Sequence, residues 1–150
     1  MNTQQRILKA IGERGLWKPI GKVHTWFYRV SGGRIGHTAG GIRNLLLTTT
    51  GRRSGEQRTV ALAYLADGDT FVLVASNGGR DQHPAWWLNL QGEPRATIQV
   101  GRETIGVVAR EAEGEERTRL WSMLTRYNPP YAAYEQMTKR RIPVVVLRRP

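Results

Sequence analysis

A strand-like run that leads directly into an arginine-rich turn is the feature of this sequence that most constrains its fold. Residues 45–50 are three leucines followed by three threonines, and residues 51–58 then contain two glycines and three arginines. Apolar and β-branched residues in such a run are typical of a buried strand. Gly51 and Gly55 are expected to adopt positive φ values, which bring backbone N–H groups close to a ligand. The segment is therefore predicted to be a strand that ends in a tight turn.

The chemistry of this turn favours the binding of an anion. Arg52, Arg53 and Arg58 carry guanidinium groups that can each donate two hydrogen bonds to a phosphate or a carboxylate. Neither common nucleotide-binding loop occurs, because the Walker pattern G-x-x-x-x-G-K-[ST] and the dinucleotide pattern G-x-G-x-x-G are both missing. An ordinary charged hairpin turn would contain similar residues. The pattern alone leaves both interpretations open.

The composition indicates a single domain with an anionic ligand or partner. The chain has 150 residues, a formal net charge of +11 and no cysteine. A charge of that size favours negatively charged partners, and the lack of cysteine excludes disulfides and thiolate metal sites. His24, His37 and His83 lack the spacing of metal ligands, so we expect no metal site. No apolar run approaches the roughly 20 residues that span a bilayer, and no signal peptide is recognisable, so we expect a cytoplasmic protein.

Residues 1–42 are predicted to form an amphipathic helical segment followed by a loop. Apolar residues recur at close to helical spacing from residue 7 to residue 30, with basic residues between them. Gly15 and Pro19 are expected to divide this stretch into two short helices. A basic amphipathic stretch can lie on an anionic membrane surface, although such stretches more commonly pack on their own domain. Both interpretations remain open for residues 1–30, and residues 31–42 are predicted to be a glycine-rich loop.

From residue 43 onward the pattern changes to short strands with three helices. Strands are predicted at 44–50, 57–66, 70–76, 95–100, 103–111 and 142–147, and helices at 84–90, 115–125 and 131–137. Short antiparallel strands around a small sheet predict a mainly β, α+β protein whose barrel is closed or half-closed and capped by helices. Residues 43–150 are expected to form this one domain.

Several sequence blocks resemble a known family in the same order along the chain. They are residues 46–55, residues 74–79 with Asp67 and Gly68 ahead of them, residues 84–90, and three tyrosines ahead of residues 142–146. Together they resemble the deazaflavin-dependent nitroreductase family, whose members use coenzyme F420, an 8-hydroxy-5-deazaflavin. The resemblance implies an antiparallel split β-barrel of the flavin-reductase-like type. It also implies hydride transfer from the reduced coenzyme to a hydrophobic acceptor such as a quinone, an enone or a nitroaromatic compound.

The resemblance further implies which residues form the site. The coenzyme would be bound by Arg52, Arg53, Ser54, Gly55, Arg58, Thr59, Val60, Ser76, Asn77, Gly78, Trp86 and Asn89. The acceptor side would be lined by Tyr127, Tyr131 and Tyr134, one of which could supply a proton. Two positions depart from the family pattern: Asn77 stands where relatives carry lysine, and Ala63 where the nitroimidazole-activating member has an aromatic residue.

Other interpretations of the same residues remain open. The tyrosines, at spacings of four and three, are also typical of one helical face that packs on a core, and Trp86 and Trp87 are typical core residues. A basic small barrel can bind single-stranded nucleic acid, but here the positive residues cluster in one loop and at the termini, and no nucleic-acid motif occurs. We therefore expect no nucleic-acid partner. A deazaflavin carrier without catalytic activity would have the same sequence features.

Overall fold

The computed structural model describes residues 38–39 and 41–150, and these form eight strands and three α-helices. The strands are β1 (Thr38–Ala39), β2 (Ile42–Thr50), β3 (Gln57–Ala63), β4 (Leu65–Asp67), β5 (Thr70–Val74), β6 (Arg95–Val100), β7 (Glu103–Glu111) and β8 (Val144–Arg148). The helices are α1 (Ala85–Gly92), α2 (Gly114–Tyr127) and α3 (Pro130–Met137), with a short 3-10 turn at Asn77–Gly79. The strand and helix order predicted from the sequence after residue 43 is confirmed.

The predictions for the N-terminal segment mostly lie outside the described residues. This holds for the amphipathic helices and the membrane-surface contact of residues 1–30, and the division of the chain at residue 43 stays a prediction. The loop predicted for residues 31–42 is wrong at its end, because β1 pairs with the start of β2 through Ala39 and Ile42. Gly41, with a φ of +81°, makes the tight turn that this pairing needs. No helix in the described part of the chain is long and apolar enough to cross a membrane.

The strands form one antiparallel sheet in the order β1-β2-β6-β7-β8-β5-β4, with β3 also paired to β2. β3 and β4 therefore lie at opposite ends of the order, although a single residue, Tyr64, joins them. The sheet must curl until its two ends approach each other, and the Tyr64 N–H donates to the Arg43 carbonyl at 3.0 Å. The predicted antiparallel barrel is confirmed, and among the described strands its hydrogen bonding does not close into a ring. The single strand predicted for residues 57–66 is wrong at this bend.

Two apolar clusters lie on the two faces of the curled sheet. The interior cluster includes Leu45, Leu47 and Ile98 together with Trp86 and Trp87 from α1. The outer cluster joins α2 and α3 to the other face of the sheet, through residues that include Val72, Val144, Leu120, Leu124 and Tyr131. Successive side chains of a strand point to opposite faces, so β5 and β8 contribute to both clusters and are apolar except for Thr70 at the start of β5 and Arg148 at the end of β8. Each fully buried aliphatic side chain contributes about 1.5–3 kcal/mol of transfer free energy.

Candidate functional site

The arginine-rich turn is a closed loop, residues 51–56, which we call the first loop. The Gly51 N–H donates to the Glu56 carbonyl at 2.7 Å, and the Gly55 N–H donates to the Gly51 carbonyl at 2.8 Å. Gly55 has a φ of +71°, as the sequence predicts. The same prediction is wrong for Gly51, where space is restricted instead: a Cβ there would lie 2.8 Å from Ser54 Oγ and 3.1 Å from the Glu56 carbonyl oxygen. Tight packing inside the first loop therefore fixes its shape.

Buried Asn89 of α1 holds the first loop against the sheet. Its Oδ1 accepts hydrogen bonds from the Arg52 N–H at 3.2 Å and from Arg52 Nη1 at 3.1 Å. Its Nδ2 donates to Thr49 Oγ1 at 3.2 Å, and Asn89 and Thr49 are only 4% and 1% exposed. Buried polar atoms need such partners, so the three bonds fix both the helix and the loop. The structure thus places Asn89 and the Arg52 backbone in the support of the loop.

The other two arginines of the turn differ in how they are held. Arg53 is exposed and makes no hydrogen bond or ion pair with any residue that the structure describes. Arg58 Nη2 lies 3.1 Å from Glu56 Oε2, and the two side chains are 61% and 68% exposed. An exposed pair of this kind contributes at most about 1 kcal/mol, so Glu56 competes only weakly with an anionic ligand. Arg53 is therefore the guanidinium most available to a ligand.

Thr59 and Val60, which follow Arg58 in β3, point to opposite faces of the sheet. Thr59 Oγ1 lies 2.8 Å from Thr48 Oγ1 on the neighbouring strand, whereas Val60 packs against the interior cluster. This alternation is the normal period of a β-strand. The two side chains therefore do not line one surface together.

A second loop, residues 75–83, contains three successive residues in left-handed conformation. Asn77, Gly78 and Gly79 have φ values of +49°, +64° and +81°. Asparagine is one of the few residues besides glycine that tolerates this region, and its Nδ2 donates to the Gln82 carbonyl at 3.0 Å. A Cβ on Gly79 would lie 3.0 Å from Met137 Sδ, so the second loop is pressed against the end of α3.

Arg140 binds the second loop at both ends and was missed by the sequence analysis. Its Nη2 donates to the carbonyls of Ser76 at 2.8 Å and Ala75 at 3.2 Å, and its Nε donates to the Arg80 carbonyl at 2.8 Å. Its Nη1 also lies 3.1 Å from His83 Nδ1. In the sequence Arg140 belongs to a run of three basic residues ahead of the last strand, which is typical of a solvated charge cluster. No sequence pattern distinguishes it from its neighbours.

The contact with Arg140 fixes the protonation state of His83. A guanidinium has donors and no acceptor, so His83 Nδ1 must be the acceptor and the ring is neutral. The pKa of His83 is lowered, first by burial and then by the charge of Arg140, while Glu111 opposes the shift.

The three tyrosines lie on two helices. α2 ends at Tyr127 and α3 begins at Pro130, because proline cannot continue a helix and also disfavours helical backbone in the residue before it. The prediction of one helical face for Tyr127, Tyr131 and Tyr134 is therefore wrong. Tyr127 Oη accepts a hydrogen bond from the Arg43 N–H at 2.6 Å and so holds the start of β2.

Tyr131 and Tyr134 remain neighbours on α3, with ring centroids 6.4 Å apart. Tyr131 is buried in the outer cluster, and burial is the main reason that its pKa is raised. A hydrogen bond with Asn128 opposes this shift of the pKa, and Tyr127 and Tyr134 add to it. The Tyr131 phenol is thus kept protonated. Trp86, in contrast, lies in the interior cluster and is 7% exposed.

Comparisons with known proteins identify the family. A family model described as F420H(2)-dependent quinone reductase matches residues 20–149. The chain belongs to this family. An F420H(2)-dependent quinone reductase of Mycobacterium tuberculosis is similar to it, with 39% identity over 141 residues that are 91% of this chain and 95% of that protein.

Two solved structures are similar in fold, and the first is named as an F420-dependent reductase. An F420-H2 dependent reductase called FDR-A superposes with a TM-score of 0.64 at 39% identity, covering 69% of this chain and 92% of its own. A domain-swapped dimer superposes with a TM-score of 0.68 at 31% identity, covering 97% and 99%. The resemblance seen in the sequence blocks is confirmed, as are the flavin-reductase-like fold and the coenzyme class. The roles of the individual site residues stay predictions.

The hydrogen bonds of Asn89 yield a stability prediction. Asn89→Ala leaves the buried Thr49 hydroxyl and the Arg52 N–H without their partner, and we expect the free energy of unfolding to fall by about 1–3 kcal/mol. Urea unfolding measures this loss. Gln57→Ala is the control, because it removes an exposed amide that bonds Thr50 Oγ1 at the edge of the same loop, and it should cost under about 0.5 kcal/mol. Equal losses in both variants would contradict the anchoring role.

The lowered pKa of His83 yields a pH prediction. As pH falls below 6.5, the ordinary pKa of histidine, the unfolded chain binds a proton at residue 83 before the folded protein does. The free energy of unfolding should therefore decrease from pH 7.5 to pH 5.5 and level off below the lowered pKa. His83→Gln keeps an acceptor for Arg140 and does not titrate, so its stability should depend less on pH. Parallel pH profiles of the two proteins would show that His83 is not the cause.

Proposed function

We propose that this protein is an oxidoreductase that takes hydride from the reduced deazaflavin coenzyme and delivers it to a quinone-type acceptor. The observation that supports this most directly is the first loop, which presents Arg53 unpaired among the described residues while buried Asn89 holds the loop rigid. The coenzyme has an acidic tail, and exposed arginines on a fixed loop of a +11 protein are its electrostatic complement. The residues present therefore fit the coenzyme that the family uses.

The protein's part in the reaction is to bind, orient and exclude water, because a bound deazaflavin itself supplies the hydride. Arg53 and Arg58 would neutralise the acidic tail, with Ser54 and Gly55 contributing backbone and hydroxyl groups beside them. The interior cluster, with Trp86, would supply a dry apolar wall. Ser76, Asn77 and Gly78 would form the opposite side of the coenzyme site.

The acceptor side is proposed to lie near α3. The backbone of Tyr134 packs against the second loop, since a Cβ on Gly79 would lie 3.2 Å from Tyr134 Cα. A quinone that gains a hydride also needs one proton to become a hydroquinone. The Tyr131 phenol, which burial keeps protonated, and the Tyr134 phenol beside it are the proposed sources, with solvent as the alternative.

Incubating the purified protein with the reduced coenzyme and a short-chain quinone tests this function. The expected result is saturable coenzyme binding together with oxidation of the coenzyme at the rate at which hydroquinone forms. Binding without turnover of any quinone, enone or nitroaromatic compound would instead support a carrier. Absence of coenzyme binding, with salt-sensitive binding of a single-stranded oligonucleotide, would support the nucleic-acid alternative.

Because Arg53 and Arg58 have different surroundings, we expect their replacement to weaken coenzyme binding to different extents. Arg53→Ala should weaken coenzyme binding by about 1.5–3 kcal/mol, roughly tenfold to a hundredfold in Kd, and the effect should shrink as salt increases. Arg58→Ala should cost less, because Glu56 already neutralises part of its charge. Glu56→Gln should tighten binding by up to about fivefold, because it frees Arg58. Fluorescence titration measures all three.

Arg102→Ala is the matched control for these variants. Arg102 is exposed at the turn between β6 and β7, and the pairing of Thr48 with Thr97 and of Leu46 with Gln99 puts that turn at the other end of the sheet from the first loop. The Arg102→Ala change removes one positive charge, as Arg53→Ala does, and should leave the coenzyme Kd unchanged. A similar loss in Arg53→Ala and Arg102→Ala would mean that only net charge matters.

The tyrosines yield a kinetic prediction. If Tyr131 or Tyr134 donates the proton, its change to phenylalanine should lower kcat by about 10²–10⁴-fold and leave coenzyme Kd nearly unchanged. A merely shape-forming tyrosine should produce a much smaller effect. Tyr127→Phe is the contrast, because it removes the acceptor of the Arg43 N–H and should cost about 1 kcal/mol of stability instead. Unchanged turnover in both α3 variants would remove these phenols from the reaction.

A further inference from the structure

We propose that Arg140 is a positioning residue that holds the second loop in the geometry in which it accepts the coenzyme. This inference rests on the proposed function, because the second loop includes the three residues assigned to the coenzyme there.

The geometry of Arg140 is that of a clamp. One guanidinium binds the carbonyls of Ala75 and Ser76 where the second loop begins, and the Arg80 carbonyl and His83 Nδ1 where it ends. Five donors in a planar fork can meet these acceptors at once, whereas a lysine has three donors at a single point. The entry and the exit of the loop are therefore tied to one side chain.

The second loop benefits from such support because its backbone is unusual. Asn77 has a positive φ, a conformation that costs most residues with a Cβ about 1–2 kcal/mol and that asparagine tolerates when its side chain is bonded locally, here to the Gln82 carbonyl. The neighbouring chain supplies further contacts, since Thr138 Oγ1 donates to Asp81 Oδ1 at 2.8 Å and accepts from the Arg140 N–H at 3.3 Å. The segment after α3 thus contacts the second loop along one side through Thr138 and Arg140.

Arg140 differs from the arginines of the first loop in where its charge is directed. Its donors point to backbone carbonyls within the protein, and burial lowers its pKa although the group stays charged. A ligand would therefore meet Ser76, Asn77 and Gly78, whereas Arg140 acts through them. Its effect on coenzyme binding should accordingly be insensitive to salt, unlike that of Arg53.

The test is Arg140→Lys in the full chain, with Arg117→Lys as the matched control. Arg117 is also partly buried with a lowered pKa, and it also donates to a backbone carbonyl, that of Ile142 at 2.7 Å, but it belongs to α2. We expect Arg140→Lys to raise the coenzyme Kd about tenfold, with the salt dependence of the wild type retained. Arg117→Lys should lower the melting temperature and leave Kd unchanged.

Hydrogen exchange tests the same idea without the coenzyme. The Gly79 N–H donates to the Ser76 carbonyl at 2.9 Å, and its protection should be lost in Arg140→Lys and kept in Arg117→Lys. If Arg140→Lys does not fold, Thr138→Val provides the milder change, since it removes the bond to Asp81 and should weaken coenzyme binding with little loss of stability.

The outcomes separate this inference from the proposed function. A wild type that binds no coenzyme would contradict the proposed function, while the exchange experiment would still test whether Arg140 holds the loop. An Arg140→Lys protein that is less stable but has unchanged Kd and exchange would make Arg140 merely structural and overturn the inference. An effect of Arg140→Lys that shrinks with salt, as expected for Arg53→Ala, would mean direct contact with the coenzyme and would also overturn it.

Discussion

The hydrogen bonds of buried Asn89 join α1 to the first loop, and α1 in turn connects the first loop to the second. α1 begins directly after the second loop, and its Asn89 holds the first loop through Arg52 and Thr49. The tryptophans of the same helix fill the barrel interior, so the position of α1 is fixed by the packing of the core. This short helix therefore connects the packed interior of the sheet to both loops. Preorganisation of this kind is what a coenzyme enzyme needs, because orientation is most of what the protein contributes.

The arginines of this basic chain serve different physical purposes according to their solvation. Arg53 is exposed and unpaired within the described residues, Arg58 is exposed beside Glu56, and Arg140 is half-buried and donates to backbone carbonyls. An exposed charge acts over a distance that salt shortens to about 10 Å at 0.1 M, whereas a guanidinium bonded to backbone carbonyls acts through the geometry of those bonds. Net charge alone therefore overstates how many arginines can attract a ligand.

Much of the fold could be predicted from the sequence because its strands are short, apolar and separated by turn residues. The turn at 51–58 and the spacing of the family blocks also led to the correct family, since residue type and order carry that information. The break at Tyr64 could not be predicted, because it arises from the placement of the neighbouring strands: β3 pairs with β2 and β4 with β5, and β2 and β5 lie far apart in the sheet. Arg140 was missed for a similar reason: its partners lie about 60 residues earlier in the chain. Contacts between residues that are far apart in the chain leave no pattern in the local sequence.

The arrangement of the tyrosines, in contrast, follows from a local break in the chain. Their spacing of four and three fits one helix, but Asn128 and Pro129 divide them, so that Tyr127 binds the start of β2 and the other two face the outer cluster. The outer cluster and the barrel interior lie on opposite faces of β5 and β8, and the second loop follows directly after β5. If the coenzyme binds the two loops as proposed, the second loop lies between its site and α3. An acceptor approaching beside Tyr134 would then meet the coenzyme at that loop, which makes the clamp at Arg140 relevant to both partners of the reaction.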